Sequence, residues 1–330
     1  MAQPPLRRPT ALVTGATGGL GLACAARLVA LGYEVTLGWR LRGGERSRDA
    51  AARAERAAAA AQACSRGGAS AGVARAARGA VDLADSDSVR SFAAAAAADG
   101  AALDVLLLNA AEGFPGARRE NAKGQDSRLA SNHLGHVLLA ELLRPSLELA
   151  CKQPAKARDG VAPRVVFVSS GLARSSDLEA FRRDPHQVLT AKYDATKAYR
   201  LSKACMALYA REMRTAWSCG GVECAAVSPG FVPATALGRE GPWLGRLAMQ
   251  CILGGAVGRT LLPFVRSIDE GADALLRAAT QPLPKEAAFL RAPVAGGPLE
   301  PYRGKLGDAL DDEGLRQEVW AWSLREAGVR

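Results

Sequence analysis

The sequence predicts an α/β fold: one doubly wound parallel sheet in a single domain. Short apolar runs alternate with helix-length segments along the whole chain, the rhythm of repeated βα units. Two of the runs, Val105-Leu106-Leu107-Leu108 and Val165-Val166-Phe167-Val168, are apolar at every position. Strands buried on both faces of a parallel sheet read this way. A third run, Ala11-Leu12-Val13, passes into Thr14-Gly15-Ala16-Thr17-Gly18-Gly19-Leu20-Gly21 and then into a helix pattern. Strand, glycine turn and helix in that order make a phosphate cradle. Glycine lets the backbone approach the ligand closely, and the helix N-terminus supplies free N–H donors.

The elements follow in order. Strands are predicted at Ala11–Thr14, Glu34–Gly38, Ala80–Asp82, Asp104–Leu108, Arg164–Ser169, Val222–Val227 and Ala288–Arg291. Helices are predicted at Leu20–Leu31, Glu45–Cys64, Ser86–Ala98, Arg128–Leu149, Ala191–Trp217, Glu270–Ala279 and Gly314–Ala327. Ser65–Ala71 and Lys152–Gly160 read as surface loops. No linker marks a second domain, so residues 1–330 are expected to form one. Its core spans 10–235, with a helical lid at 233–264 and a C-terminal completion at 265–330. The lid text (Trp243, Leu244, Leu247, Met249, Ile252, Leu253) suits a cover over a greasy pocket, and equally suits ordinary core packing.

The 330 residues carry a formal charge of +10, but the arginines are scattered through helices, with no basic run and no interleaved aromatics. That argues against a nucleic-acid-binding protein. Seven cysteines without a CxxC pair suit reduced thiols inside a cell. The fold begins near Thr10, which leaves no room for a cleavable presequence. The expected location is the cytoplasm, or a plastid if a presequence has been lost. The most apolar stretch, between Arg246 and Arg259, is too short to span a bilayer. Peripheral contact with a membrane surface stays open.

Several side chains carry possible chemistry. Arg40 stands after the second strand, where an acid would accept from a ribose 2′-hydroxyl; a guanidinium there pairs with a 2′-phosphate instead. Asn132 lies inside a predicted helix, a poor site for asparagine unless its amide has a task. His133 and His136 stand three apart with no third ligand in view, so no metal is expected. Ser170 ends the fifth strand. Tyr199 and Lys203, at i and i+4, share a helix face, where a cation can lower a phenol's pKa and fit it for proton transfer. Tyr193 and Lys197 repeat the spacing six residues earlier. Six residues rotate a helix by about 600°, so the two pairs cannot face one pocket. The choice falls on Tyr199 and Lys203.

Gly15, Gly19 and Gly21 are not spaced as GxGxxG. They match the TGxxxGxG turn of the short-chain dehydrogenase/reductase family, which the chain resembles from about Thr10 to Thr235. The resemblance implies a Rossmann-type fold and a nicotinamide cofactor, NADP given Arg40. It implies cofactor contacts from Gly15, Thr17, Gly19, Leu20 and Gly21, from Asp82 and Leu83 at the adenine, and from Asn109 and Ala110 in a turn like the family's NAG. It adds Tyr199, Lys203, Pro229, Gly230 and Thr235 around the nicotinamide. Asn132, Ser170, Tyr199 and Lys203 match the family's catalytic residues: a helix-distorting asparagine in a proton relay, a serine that orients the substrate oxygen, the acid/base, and a lysine that holds the ribose. The text Lys192-Tyr193-Asp194, with Ala198-Tyr199 and Ser202-Lys203, resembles the retinol dehydrogenase and protochlorophyllide reductase branches. One departure is Phe231, where protochlorophyllide reductases have a cysteine after Pro-Gly. The function implied is hydride transfer between NADPH and a small hydrophobic carbonyl or alcohol. The alternatives are light-dependent protochlorophyllide reduction and a non-catalytic nucleotide-sensing scaffold.

Overall fold

The computed structural model describes residues 6–41, 44–64, 71–98, 100–114, 116–153, 155, 160–185, 193–234, 265–284 and 288–329. Strands β1 (Thr10–Val13), β2 (Glu34–Leu37), β3 (Val73–Ala76), β4 (Val105–Leu108), β5 (Arg164–Val168), β6 (Glu223–Ser228), β7 (Phe289–Arg291) and β8 (Glu300–Pro301) form one sheet. Its order is β3-β2-β1-β4-β5-β6-β7-β8. Every pairing is parallel except β7 with β8. The chain starts at mid-sheet, winds outward to β3, returns past β1 to β4 and winds the other way. The reversal lies between β1 and β4, and in open sheets of this kind ligands bind beyond the strand ends at that point.

Helices cover both faces. They are α1 (Gly19–Ala30), α2 (Ser47–Cys64), α3 (Ser86–Ala97), α4 (Gly135–Lys152), α5 (Leu178–Arg183), α6 (Ala195–Ala216), α7 (Ile268–Thr280), α8 (Lys305–Asp311) and α9 (Glu313–Ala327). Alternate residues of one strand serve opposite cores, because successive side chains leave a strand on opposite sides. Val105 and Leu107 join Val13, Leu28, Ala58 and Leu275 on the α1, α2 and α7 side. Leu106 and Leu108 join Val137, Phe167, Met206 and Trp322 on the α3, α4, α6 and α9 side. All four β4 residues are buried. That two-sided burial is why the run carries no polar alternation.

The third strand departs from expectation. It is Val73–Ala76, not Ala80–Asp82. β3 is the sheet edge, pairs with β2 alone and is half exposed, so it needs no apolar run. Val81 and Leu83 are apolar because they drop into the core from a loop, with Val81 N–H donating to the Trp39 carbonyl at 2.8 Å. The fourth predicted helix is also interrupted. A single turn at Ser127–Leu129 leads into a π-helical segment at Ala130–Leu134, and only then into α4. The fifth, expected from Ala191, starts at Ala195, because Asp194 caps it. The strand β8 and helices α5 and α8 have no counterpart in the sequence reading. Of the expected lid, 235–264 lies outside the described residues, as does Thr235.

Candidate active site

Helix and strand ends converge beyond β1, β4, β5 and β6. In the glycine turn Gly15 and Gly19 have φ of +65° and +54°. A Cβ on Gly21 would sit 2.5 Å from the Gly15 carbonyl oxygen and 2.6 Å from Asn109 Nδ2, so only glycine fits. A Cβ on Gly18 would meet nothing within 4 Å. The turn is therefore tight on its inner side and open on its outer side. Gly18 caps α1 without a side-chain bond, so no capping side chain takes the helix's first N–H groups. This cradle fits a pyrophosphate. Leu20 is buried and faces Gly271, supporting the turn rather than opening toward solvent.

Thr17 reveals a residue that the sequence reading missed. Its hydroxyl accepts from Arg53 Nη1 at 2.9 Å, and Arg53 Nη2 donates to the Arg40 carbonyl at 2.8 Å. Arg53 is itself held by both Glu45 oxygens, at 3.1 and 2.9 Å. Nothing in the text of an alanine-rich helix singles it out. The Arg40 side chain is 56% exposed and lies 3.9 Å from Glu112 Oε1. Asp82 is exposed and closes its own turn, with Oδ1 accepting from Ala84 N–H at 3.0 Å. The Leu83 side chain is in the core, and its carbonyl lies against Gly135.

The Asn109 turn is tied directly to the glycine turn. Asn109 Nδ2 donates to the Thr14 carbonyl at 2.9 Å, while the Thr14 hydroxyl accepts from Asn109 and Ala110 N–H at 2.9 and 3.0 Å. Ala110 Cα packs so closely on Gly15 that a Cβ there would approach to 2.9 Å. At the far side Pro229 and Gly230 follow β6, with Gly230 at φ +83°. Phe231 pairs with Val265 in a parallel bridge, and its carbonyl accepts from Arg266 N–H at 2.7 Å.

Asn132 sits inside the π segment, fully buried. Its amide grips the Glu112 backbone on both sides: Oδ1 accepts from Glu112 N–H at 2.7 Å, and Nδ2 donates to the Glu112 carbonyl at 3.1 Å. Nδ2 also donates to Ser202 Oγ at 3.1 Å. That answers why an asparagine stands inside a helix. Ser170 follows β5, where its hydroxyl accepts from Leu172 N–H at 3.2 Å. The Tyr199 ring is buried against Phe114, 5.0 Å between centroids. Lys203 is buried one turn further, with Nζ donating to the Val168 carbonyl at 2.7 Å and lying 5.8 Å from the Tyr199 ring centre. Tyr199 and Lys203 therefore lie beside the carboxyl end of β5, where Ser170 follows it, and Asn132 is joined to their helix through Ser202.

Their electrostatics differ from the expected lysine effect. Burial pushes the Tyr199 phenol up to about 12, opposed by the Ser170 hydroxyl. Burial also pushes the Lys203 ammonium down to about 7, so its charge is only partly present at neutral pH. The resting phenol is consequently neutral, the form that can donate a proton. The two neighbouring histidines diverge. His133 Nε2 meets Ser323 Oγ at 2.7 Å and its ring stacks on Trp322 of α9, while His136 turns to Thr14 and Asn132.

Tyr193 and Lys197 are elsewhere. Tyr193 precedes α6, and its hydroxyl lies 2.6 Å from Nη1 of the buried Arg128. Lys197 is exposed on the first turn.

A fold wound in this order, with this turn and these side chains at its switch point, defines a class of nucleotide-binding oxidoreductase domain. The short chain dehydrogenase family profile matches residues 9–179, and the chain belongs to that family. It is 32% identical to retinol dehydrogenase 14 of Homo sapiens over 70% of this chain and 63% of that protein. It is 31% identical to polyprenol dehydrogenase of Mus musculus over 99% of this chain and 86% of that protein. A chloroplastic protochlorophyllide reductase of Daucus carota is 30% identical over 71% of this chain and 58% of that protein. The chain spans just under two thirds of the length of the first curated relatives it matches. The crystal structure of NADPH-bound carbonyl reductase from chicken fatty liver superposes with a TM-score of 0.57 at 20% identity, covering 90% of this chain and all of that one; it shares the fold. Among the described residues no helix is long and apolar enough to cross a membrane.

Proposed function

We propose that the chain is an NADPH-dependent oxidoreductase acting on a hydrophobic carbonyl compound or the corresponding alcohol. The observation that carries this reading is the buried, neutral Tyr199 packed on Phe114, with Lys203 one helical turn away and the Ser170 hydroxyl near enough to favour its ionised form. The cradle of Gly15, Gly19 and Gly21 would hold the pyrophosphate, and Arg40 would pair with the 2′-phosphate at the expense of its distant partner Glu112. NADPH, when bound, supplies the hydride. Ser170 orients the substrate oxygen, Tyr199 gives it a proton in reduction, and Lys203 holds the ribose and keeps the phenol supplied with protons. Asn132 holds the Glu112 backbone and Ser202 around them. Phe114 and Phe231 add apolar walls, and relatives whose names specify retinol and polyprenol favour a greasy substrate.

The test measures turnover with NADPH and NADH across a panel of aldehydes and ketones, before and after Arg40→Asp. Preference for NADPH that the substitution abolishes is expected. Preference for NADH, or indifference to the substitution, overturns the Arg40 assignment. Illumination with protochlorophyllide and NADPH is expected to produce no rapid conversion, because Phe231 offers neither thiol nor proton; rapid conversion would install light-driven reduction in its place.

A further inference from the structure

We propose that His136 is a positioning residue: held as the Nδ1–H tautomer, its ring ties the cofactor turns to the segment that carries Asn132. This rests on the function proposed above, which gives His136 no part. The ring is fully buried. Its Nδ1 lies 2.9 Å from the Asn132 carbonyl oxygen, which can only accept, so Nδ1 carries the proton. Burial holds the imidazole far below its ordinary value, at about 3, and therefore neutral. Nε2 is then bare and must accept. Its partner, 3.1 Å away, is the Thr14 hydroxyl, which must donate.

The rest of the network agrees with that assignment. Having spent its proton on Nε2, the Thr14 hydroxyl still offers two lone pairs. These accept from Asn109 N–H at 2.9 Å and Ala110 N–H at 3.0 Å, which fills its capacity. On the other side, the Asn132 amide reaches Ser202, whose hydroxyl donates to the Tyr199 carbonyl at 2.8 Å. One unbroken path thus joins the turn expected to hold the cofactor to the helix that carries Tyr199 and Lys203. The ring suits the place because it presents a donor at one end and an acceptor at the other. Asparagine can reproduce the near donor alone, and glutamine the far acceptor alone.

The experiment uses the whole chain, ¹⁵N-labelled. Long-range ¹H–¹⁵N spectra near neutral pH should show one of its three histidines with the proton on Nδ1 and a bare Nε2, its signal identified by loss in His136→Gln. Steady-state kinetics and NADPH titration then compare His136→Gln with His136→Asn, each first checked for a cooperative melt. His136→Asn, which leaves Thr14 without its acceptor, should weaken NADPH more than it lowers kcat. His136→Gln, which leaves the Asn132 carbonyl without its donor, should do the reverse, each by roughly tenfold or more. A proton on Nε2, an imidazolium, or two variants that lower the melting temperature while kcat and NADPH affinity stay put would overturn the proposal. A wild type that neither binds NADPH nor turns over any carbonyl fails the proposed function instead. The tautomer still decides the tie in that case, because its bonds exist in the ligand-free chain.

Discussion

Tyr193 and Tyr199 each stand four residues before a lysine, yet the two neighbourhoods have little else in common. Asp194 is the difference. It caps α6, its Oδ1 accepting from Thr196 N–H at 2.7 Å, so the helix begins after Tyr193 and before Tyr199. The i,i+4 relation holds only inside a helix. Lys197 is left exposed on the first turn, while Tyr199 and Lys203 lie on a buried face one turn apart. The phenol pKa does not separate the two tyrosines, since burial raises both to about 12. Their neighbours do. Charged groups flank Tyr193, Asp126 raising it and Arg128 lowering it, whereas at Tyr199 an uncharged hydroxyl, that of Ser170, opposes the rise. A spacing motif thus acquires chemical meaning only when the helix start and the burial are known.

The largest effect that would sharpen the comparison is kinetic. Tyr199→Phe removes the donor and should lower kcat by about 10²–10⁴-fold, the usual worth of a positioned acid. NADPH affinity, read by titration, should hardly move. Tyr193→Phe should leave most of kcat intact. The opposite ranking would break the comparison and hand the acid role to Tyr193.

The two lysines should part on pH-dependent stability. The fold depresses Lys203 to about 7 against 10.5 in an unfolded chain. Between those values the unfolded state binds more protons, so folding stability rises with pH. The cost of burying the ammonium is therefore complete below about pH 7 and vanishes above about 10.5. Lys203→Met removes the group, so urea denaturation at about pH 7 and about pH 9.5 should show wild-type stability climbing relative to the variant. The expected slope is about 1.4 kcal/mol per pH unit. The same substitution at exposed Lys197 is the control. Equal pH profiles for wild type and Lys203→Met would mean that Lys203 is not buried as described.

How much of this was legible in the sequence depended on burial. β4 and β5 read clearly because both their faces are covered, and the glycine turn read clearly because steric crowding at Gly21 admits nothing else. β3 was illegible because an edge strand need not be apolar, and Val81 misled because a loop residue can be as buried as a strand residue. Asn132 announced itself as a misfit in a helix, and the π segment explains the misfit. Arg53 and His136 did not announce themselves. One is an arginine in a chain rich in them; the other reads as half of a weak metal pair. Their roles depend on partners 36 and 122 residues away, Thr17 and Thr14, which no local pattern encodes.

The smallest effects concern the Tyr193 side. Arg128 is fully buried, with Nε donating to the Gly113 carbonyl at 2.8 Å and Nη1 to the Ala117 carbonyl at 3.2 Å, besides its bond to Tyr193. It anchors the loop that holds Phe114 against Tyr199. Tyr193→Phe takes one partner from a buried guanidinium, which should cost about 1–3 kcal/mol in a denaturant titration. Lys197→Ala, at an exposed position, should stay within about 0.5 kcal/mol. If the anchor matters to the pocket, Tyr193→Phe should also raise KM for a bulky carbonyl compound while kcat holds, because Phe114 is an apolar wall and not a proton donor. A fall in kcat at unchanged KM would show that the two tyrosines share the chemistry rather than dividing it into wall support and proton transfer.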